Sequence, residues 1–229
     1  NIKPKVVLFL VGINDLWTKQ SSNVFDAGLK KDLTLNYTSI KAFLRTVGNY
    51  SEVFALVYNL YRYSKKIPVS YMNLQEIDLG KKKQLEIPRE DELKIIREKH
   101  REFKEKYEKS YRWRLKQLIK SSRKNNIHPI LLTHPALFGD AVDDVTNVNL
   151  GSVDRGNGKN GNIAWKSLEN YNDVTRAIGL EKNVLVIDLA NEMPKSTKYF
   201  YDFIHFNNDG SEKVAEIVYN SLLPYLKNN

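Results

Sequence analysis

Three short apolar runs punctuate a chain that is otherwise amphipathic, and their spacing is the first guide to its fold. Residues 6–11 read Val-Val-Leu-Phe-Leu-Val without a polar side chain, which predicts a strand buried on both faces of a parallel sheet. Residues 129–133, built around Ile130-Leu131-Leu132, and residues 183–189 predict two further strands. Elsewhere the apolar positions fall at helical steps. In residues 88–124, Leu93, Ile96, Phe103, Tyr107, Tyr111, Leu115 and Leu118 recur at three, four or their sum, predicting one amphipathic helix or two in series. Pro88 stands at the expected first helical position, with Glu90, Asp91 and Glu92 in the first turn where the helix dipole favours them.

Residues 165–178 predict another helix, with Leu168, Tyr171, Val174, Thr175 and Ile178 as its inward stripe. A closing helix is expected from Gly210 through Val214, Ala215, Val218 and Leu222. Residues 16–34 read as a loop, and residues 37–47 as a helix with Ile40, Phe43, Leu44 and Val47 on one face. The aromatic-rich stretch 53–61 is read as core packing, with a substrate-contacting lid as the sharper alternative. Lys81, Lys82 and Lys83 mark an exposed turn, and the Gly-, Asn- and Asp-rich residues 140–162 predict a flexible surface loop. Strands alternating with helices predict an α/β fold, a parallel sheet with helices on both faces, in one domain over residues 1–229.

Composition narrows the chemistry. A chain of 229 residues without cysteine excludes a thiol nucleophile, disulfides and Cys-based zinc sites. No stretch approaches the roughly 18 apolar residues of a membrane-spanning helix. The net charge of +9 favours anionic partners in general. Most of the excess lies in residues 88–124, where signs alternate and i,i+4 pairs form, so a solvated helix face is expected there and no nucleic-acid surface. The carboxylates Asp140, Asp143, Asp144 and Asp154 lack the spacing of a calcium loop, and no metal is expected.

Two polar clusters stand out against this background. Gly12-Ile13-Asn14-Asp15 directly follows the first apolar run, and in open α/β sheets ligands collect beyond the carboxyl ends of the strands. An Asn amide placed there is suited to donate to a developing oxyanion, a contact worth roughly 3 kcal/mol in the transition state. Near the other end, Asp202-Phe203-Ile204-His205 puts a carboxylate and an imidazole three residues apart, with His205 as candidate general base and Asp202 as its orienting acid. Taken alone, an Asp in the place of Asp202 is usually a cap, and Asn14 can simply form a turn. His134, after the second strand, and Trp17, after Asn14, are further candidates to line a cleft.

The order and spacing of these blocks resemble the SGNH/GDSL hydrolase superfamily, through Gly12, Asn14 and Asp15 of a Gly-x-Asn-Asp motif and Asp202 and His205 of an Asp-x-x-His motif. Thr133-His134-Pro135 resembles the fourth-strand edge of that family. The resemblance implies a three-layer, flavodoxin-like sheet and a Ser-His-Asp triad that cleaves acyl esters, often acetyl groups on a carbohydrate or a lipid, without a cofactor. It implies catalytic roles for Asp202, His205 and Asn14, and places Gly12, Asp15 and His134 around the substrate, Asp15 also supporting its loop.

The family's nucleophile is a Ser in a Gly-Asp-Ser block after an earlier strand, and no Ser here occupies that place. Phe138-Gly139-Asp140-Ala141 comes nearest, with Ala instead of Ser. The expectation is an N-terminally incomplete domain whose first strand and nucleophile lie upstream or on another chain. Residues 1–229 alone are then inactive, and the first apolar strand is left as a sheet edge. Two alternatives stay open: a non-catalytic domain that binds a glycan or cell-envelope polymer in the same cleft, and an O-acyltransferase.

Overall fold

The structure is a computed structural model that describes residues 4–17 and 76–227. These belong to one of two compact units, formed by residues 1–22 and 75–229. The second unit, residues 23–74, lies outside the described residues, and with it the expected helix at 37–47, the stretch 53–61 and most of the loop 16–34.

The described chain is α/β, with three parallel strands in the order β1-β2-β3. Strand β1 spans Val6–Leu10, β2 spans His128–Leu132 and β3 is the two-residue Val186–Ile187. Val6 pairs with His128 and Leu10 with Leu132, while Leu131 pairs with Val186. Helix α1 (Ile13–Trp17) follows β1, and α2 (Arg89–Lys106) and α3 (Glu108–Lys124) lead to β2. Helix α4 (Gly161–Lys182) lies between β2 and β3, and the short α5 (Leu189–Glu192) and long α6 (Asn208–Lys227) close the chain.

Alternation along β2 decides the layers. Leu131 packs with Phe103, Tyr111, Leu115, Ile119, Tyr171, Val174 and Ile178 of α2, α3 and α4. Ile130 and Leu132 point the other way, into a cluster with Ile187, Leu189, Met193 and Ile217, covered by Val214, Val218 and Leu222 of α6. Successive strand residues face opposite sides of the sheet, so both faces of β2 must be covered, and both are. The result is three layers: helices, sheet, helices.

Several expectations change in detail. The strand buried on both faces is β2; β1, expected from the resemblance to be left as a sheet edge, is an edge among the described residues, with Leu8 41% and Leu10 38% exposed. The segment after β1 is helical from Ile13, not a loop. Residues 88–124 form two helices, which part at Tyr107 where φ is −119° and ψ −33°. Pro88 caps the first of them from outside. In its first turn the acidic Glu92 is buried and Leu93 is exposed, the reverse of a simple apolar stripe. The reason is polar: the Glu92 carboxylate accepts hydrogen bonds from the Asn160 and Asn162 amides (2.7 and 3.3 Å) at the start of α4.

The third strand is shorter than residues 183–189. Asn183 turns left-handed at φ +48° to end α4. Asp188 is drawn out of the strand by Arg176, which grips both its oxygens at 2.9 Å, and by the Thr133 hydroxyl. Residues 140–160 are also no loose surface loop. Asp143 is fully buried and accepts from Thr146 and from the backbone and hydroxyl of Thr197, while Leu150 and Val153 are buried completely.

Candidate active site

Beyond the carboxyl ends of β1 and β2 three segments converge. One is Gly12-Ile13-Asn14-Asp15, with Gly12 at φ +121°, a conformation that disfavours any side chain. A Cβ there would lie 3.1 Å from the Tyr111 hydroxyl, so the absence of a side chain lets the turn lie against α3. Asp15 is held by Arg114 of α3 at 2.6 Å, and the Tyr171 hydroxyl donates to its carbonyl. Its carboxylate thus braces the turn, and Asn14 lies exposed on the short helix beside it.

The second segment is the exit of β2. The Thr133 hydroxyl accepts from the Ala190 N–H and donates to Asp188. His134 is buried, its backbone pinned by Asn172, which accepts from its N–H at 2.8 Å and donates to its carbonyl at 3.1 Å. Its ring Nδ1–H donates to the Pro135 carbonyl at 2.8 Å, which leaves Nε2 as the unprotonated nitrogen. Burial holds this imidazole below its ordinary pKa; the Pro135 bond opposes that, and the charge of nearby His205 adds to it.

The third segment carries the acid and base. Asp202 Oδ1 accepts from the N–H groups of Ile204 and His205, both at 2.8 Å, so the carboxylate first shapes its own turn. Its other oxygen accepts from His205 Nδ1 at 2.7 Å. The turn is closed by Tyr201 N–H donating to the His205 carbonyl and by a bridge between Phe200 and Phe206. Burial by itself raises the Asp202 pKa, but the Ile204 N–H, the His205 ring and the His205 N–H outweigh it and leave the carboxyl below its ordinary value. With Nδ1 committed to Asp202, the Nε2 lone pair of His205 is the one able to take a proton. The ring is 41% exposed and stacks against Tyr201 at 5.5 Å.

What joins the segments is apolar. Ile13, Ala136, Phe138 and Leu168 form a buried cluster against which Phe203 and Ile204 pack. The spacer residue of the first motif and both spacers of the second therefore rest on one floor, and Leu137 N–H donates to the Phe203 carbonyl at 2.9 Å. A cavity of about 50 Å³ opens beside Asp15 and Leu16, lined by Phe103, Tyr107 and Tyr171 among others. Neither His205 nor Asp202 is among its described lining residues, so it is not the cleft the imidazole serves.

Two cations at this floor were not singled out from the sequence. Arg155 lies with its guanidinium carbon 3.5 Å from the Phe203 ring centre and 5.0 Å from that of Phe138. Lys195 puts Nζ 3.1 Å over Trp165 and donates to the Ala136 carbonyl. Their partners are 40 or more residues away in sequence or aromatic, so no local spacing announces them. The side chain of Trp17 lies outside the described residues. Among the described residues no group of three or more His, Asp or Glu is arranged to hold a metal, and no helix is long and apolar enough to cross a membrane.

No family profile matches the chain, and no curated protein matches it. Among solved structures, the chain is similar to an acetyl xylan esterase, AlAXEase, with 21% identity and a TM-score of 0.33, over 51% of this chain and 54% of that one. The chain thus spans about half the length of that protein, and a likeness of this extent carries no argument about its chemistry.

Proposed function

We propose that this chain carries the acid and base of an ester hydrolase of the SGNH/GDSL type. The observation that supports this most directly is the Asp202–His205 pair at 2.7 Å, resting on the same apolar floor as the Gly12–Asp15 turn. In the proposed reaction a serine Oγ attacks the acyl carbon while its proton passes to Nε2 of His205. The carbonyl π pair moves to oxygen, where the Asn14 amide donates to the oxyanion. Collapse of that intermediate breaks the ester C–O bond, and His205 returns the proton to the departing alcohol. Water then repeats the sequence on the acyl-enzyme and releases the acid. Asp202 keeps Nδ1 protonated and stabilises the imidazolium. We place the serine outside the described residues, and an acetyl ester of a carbohydrate or a lipid is the proposed substrate class.

The alternative is a site that binds a glycan without cleaving it. An activity-based fluorophosphonate, applied to the full-length protein alongside a small acetyl ester, separates the two. Labelling of a serine, with labelling and turnover both lost in His205→Ala while that variant still unfolds cooperatively, is the expected result. Retained turnover in His205→Ala refutes the assignment, and absence of labelling and turnover in the wild type selects the binding domain.

A further inference from the structure

We infer that the surface beside Asp202 and His205 carries an oxyanion subsite built on Arg155 and Lys195, so that the ligand it takes is acidic. The subsite relies on the proposed ester site only for the location of the ligand. Arg155 is carried by a fixed turn: its N–H donates to the Lys159 carbonyl at 2.8 Å, and Gly156, Asn157 and Gly158 all have positive φ. Val153, two residues before it, is fully buried. The guanidinium lies on Phe203, the residue between Asp202 and Ile204, and its Nε is buried without a hydrogen-bond partner. Among the described residues no carboxylate stands within ion-pair distance of Arg155 or Lys195, although many other Lys and Arg side chains of this unit are paired.

The two cations belong to one surface. The Phe138 ring beneath Arg155 meets the Trp165 ring beneath Lys195 edge-on at 6.4 Å. The charges of Asp202 and Asp154 reach Arg155, but neither forms a direct ion pair with it, and the Asp202 oxygens already accept from two backbone N–H groups and His205. Glu169 likewise bonds Asn172 and Arg176. A cation taken from water without a partner is costly, and guanidinium is suited to a planar oxyanion through paired N–H donors. Trp165 and Phe203, the partly exposed rings beside this pair, also suit a sugar ring. The chemistry recognised is a carboxylate or phosphate on a sugar-like ligand.

Calorimetric binding to the full-length protein at about pH 6, below the lowered pKa of Lys195, tests this without requiring turnover. The probes are a galacturonate oligomer, the galactose oligomer of equal length and galactose 6-phosphate. The oligogalacturonate is expected to bind at least about tenfold more tightly than its neutral counterpart, as a charge-assisted hydrogen bond implies. Arg155→Met, which keeps an apolar stack on Phe203, is expected to remove most of that preference, and Lys195→Met part of it, with binding of the neutral oligomer retained as the control for folding. Equal binding of acidic and neutral oligomers, binding of neither, or a preference unchanged in both variants overturns the subsite. Tighter binding of the sugar phosphate than of the uronate identifies phosphate as the oxyanion. A protein that shows the preference but no hydrolysis retains the subsite and loses only the ester reaction.

Discussion

A single carboxylate does two jobs at the candidate site, folding its own turn with one oxygen and orienting an imidazole with the other. Asp202→Asn separates them, because an amide oxygen can still accept from the Ile204 and His205 N–H groups but no longer stabilises an imidazolium. Hydrolysis by the full-length protein is expected to fall by roughly three to four orders of magnitude, as loss of a triad carboxylate does elsewhere. The folded pKa of Asp202 lies below the unfolded value, so its contribution to stability is present above about pH 4 and lost as pH falls through the folded pKa. The melting temperatures of wild type and Asp202→Asn should therefore differ at neutral pH and converge in acid. Lys195 acts with the opposite charge. Burial lowers its pKa to about 7, opposed by Glu169. Between about pH 7 and 10 the unfolded chain holds a proton that the folded one does not, so stability rises with pH in that window. Urea denaturation at several pH values should show that rise flattened in Lys195→Met.

At the scale of elements, local turns carry the chemistry and long-range polar contacts hold them. Gly12 is one such point, because its backbone conformation and its neighbour both act against a side chain. Gly12→Ala puts a Cβ at φ +121° and 3.1 Å from a Tyr111 hydroxyl that itself bonds Thr175. A loss of about 1–3 kcal/mol is expected, read as a lower urea midpoint. Gly210 at the start of α6 has a similar constraint, since a Cβ there would lie 1.9 Å from the Tyr199 carbonyl. The apolar stripe of α4 was legible in sequence, and Leu168, Tyr171, Val174, Thr175 and Ile178 are all buried. Glu92 and Asp143 were not legible as interior residues, because their burial depends, besides the nearby Arg89 and Thr146, on donors 54 to 70 positions away that help cancel its cost.

For the molecule as a whole, β2 is the member on which both helical layers rest. Leu131→Ala should cost about 2–5 kcal/mol by opening a cavity between the sheet and α2, α3 and α4, measured by thermal or urea unfolding. The α/β class and the succession of the three strands and the long helices at 88–124, 165–178 and 210–222 followed from sequence alone, and the spacing of Asp202 and His205 made their contact possible. Hydrophobic period encodes element type, and a contact three residues apart needs only one turn to form. Tertiary structure alone decided that β3 is cut to two residues by the grip of Arg176 on Asp188 and that residues 140–160 are pinned. It alone also brought Ile13, Phe138 and Phe203 onto one floor and set Arg155 and Lys195 upon it. These are packing contacts between residues far apart in the chain. Their partners are selected by shape, desolvation and charge in three dimensions, for which linear spacing carries no signal.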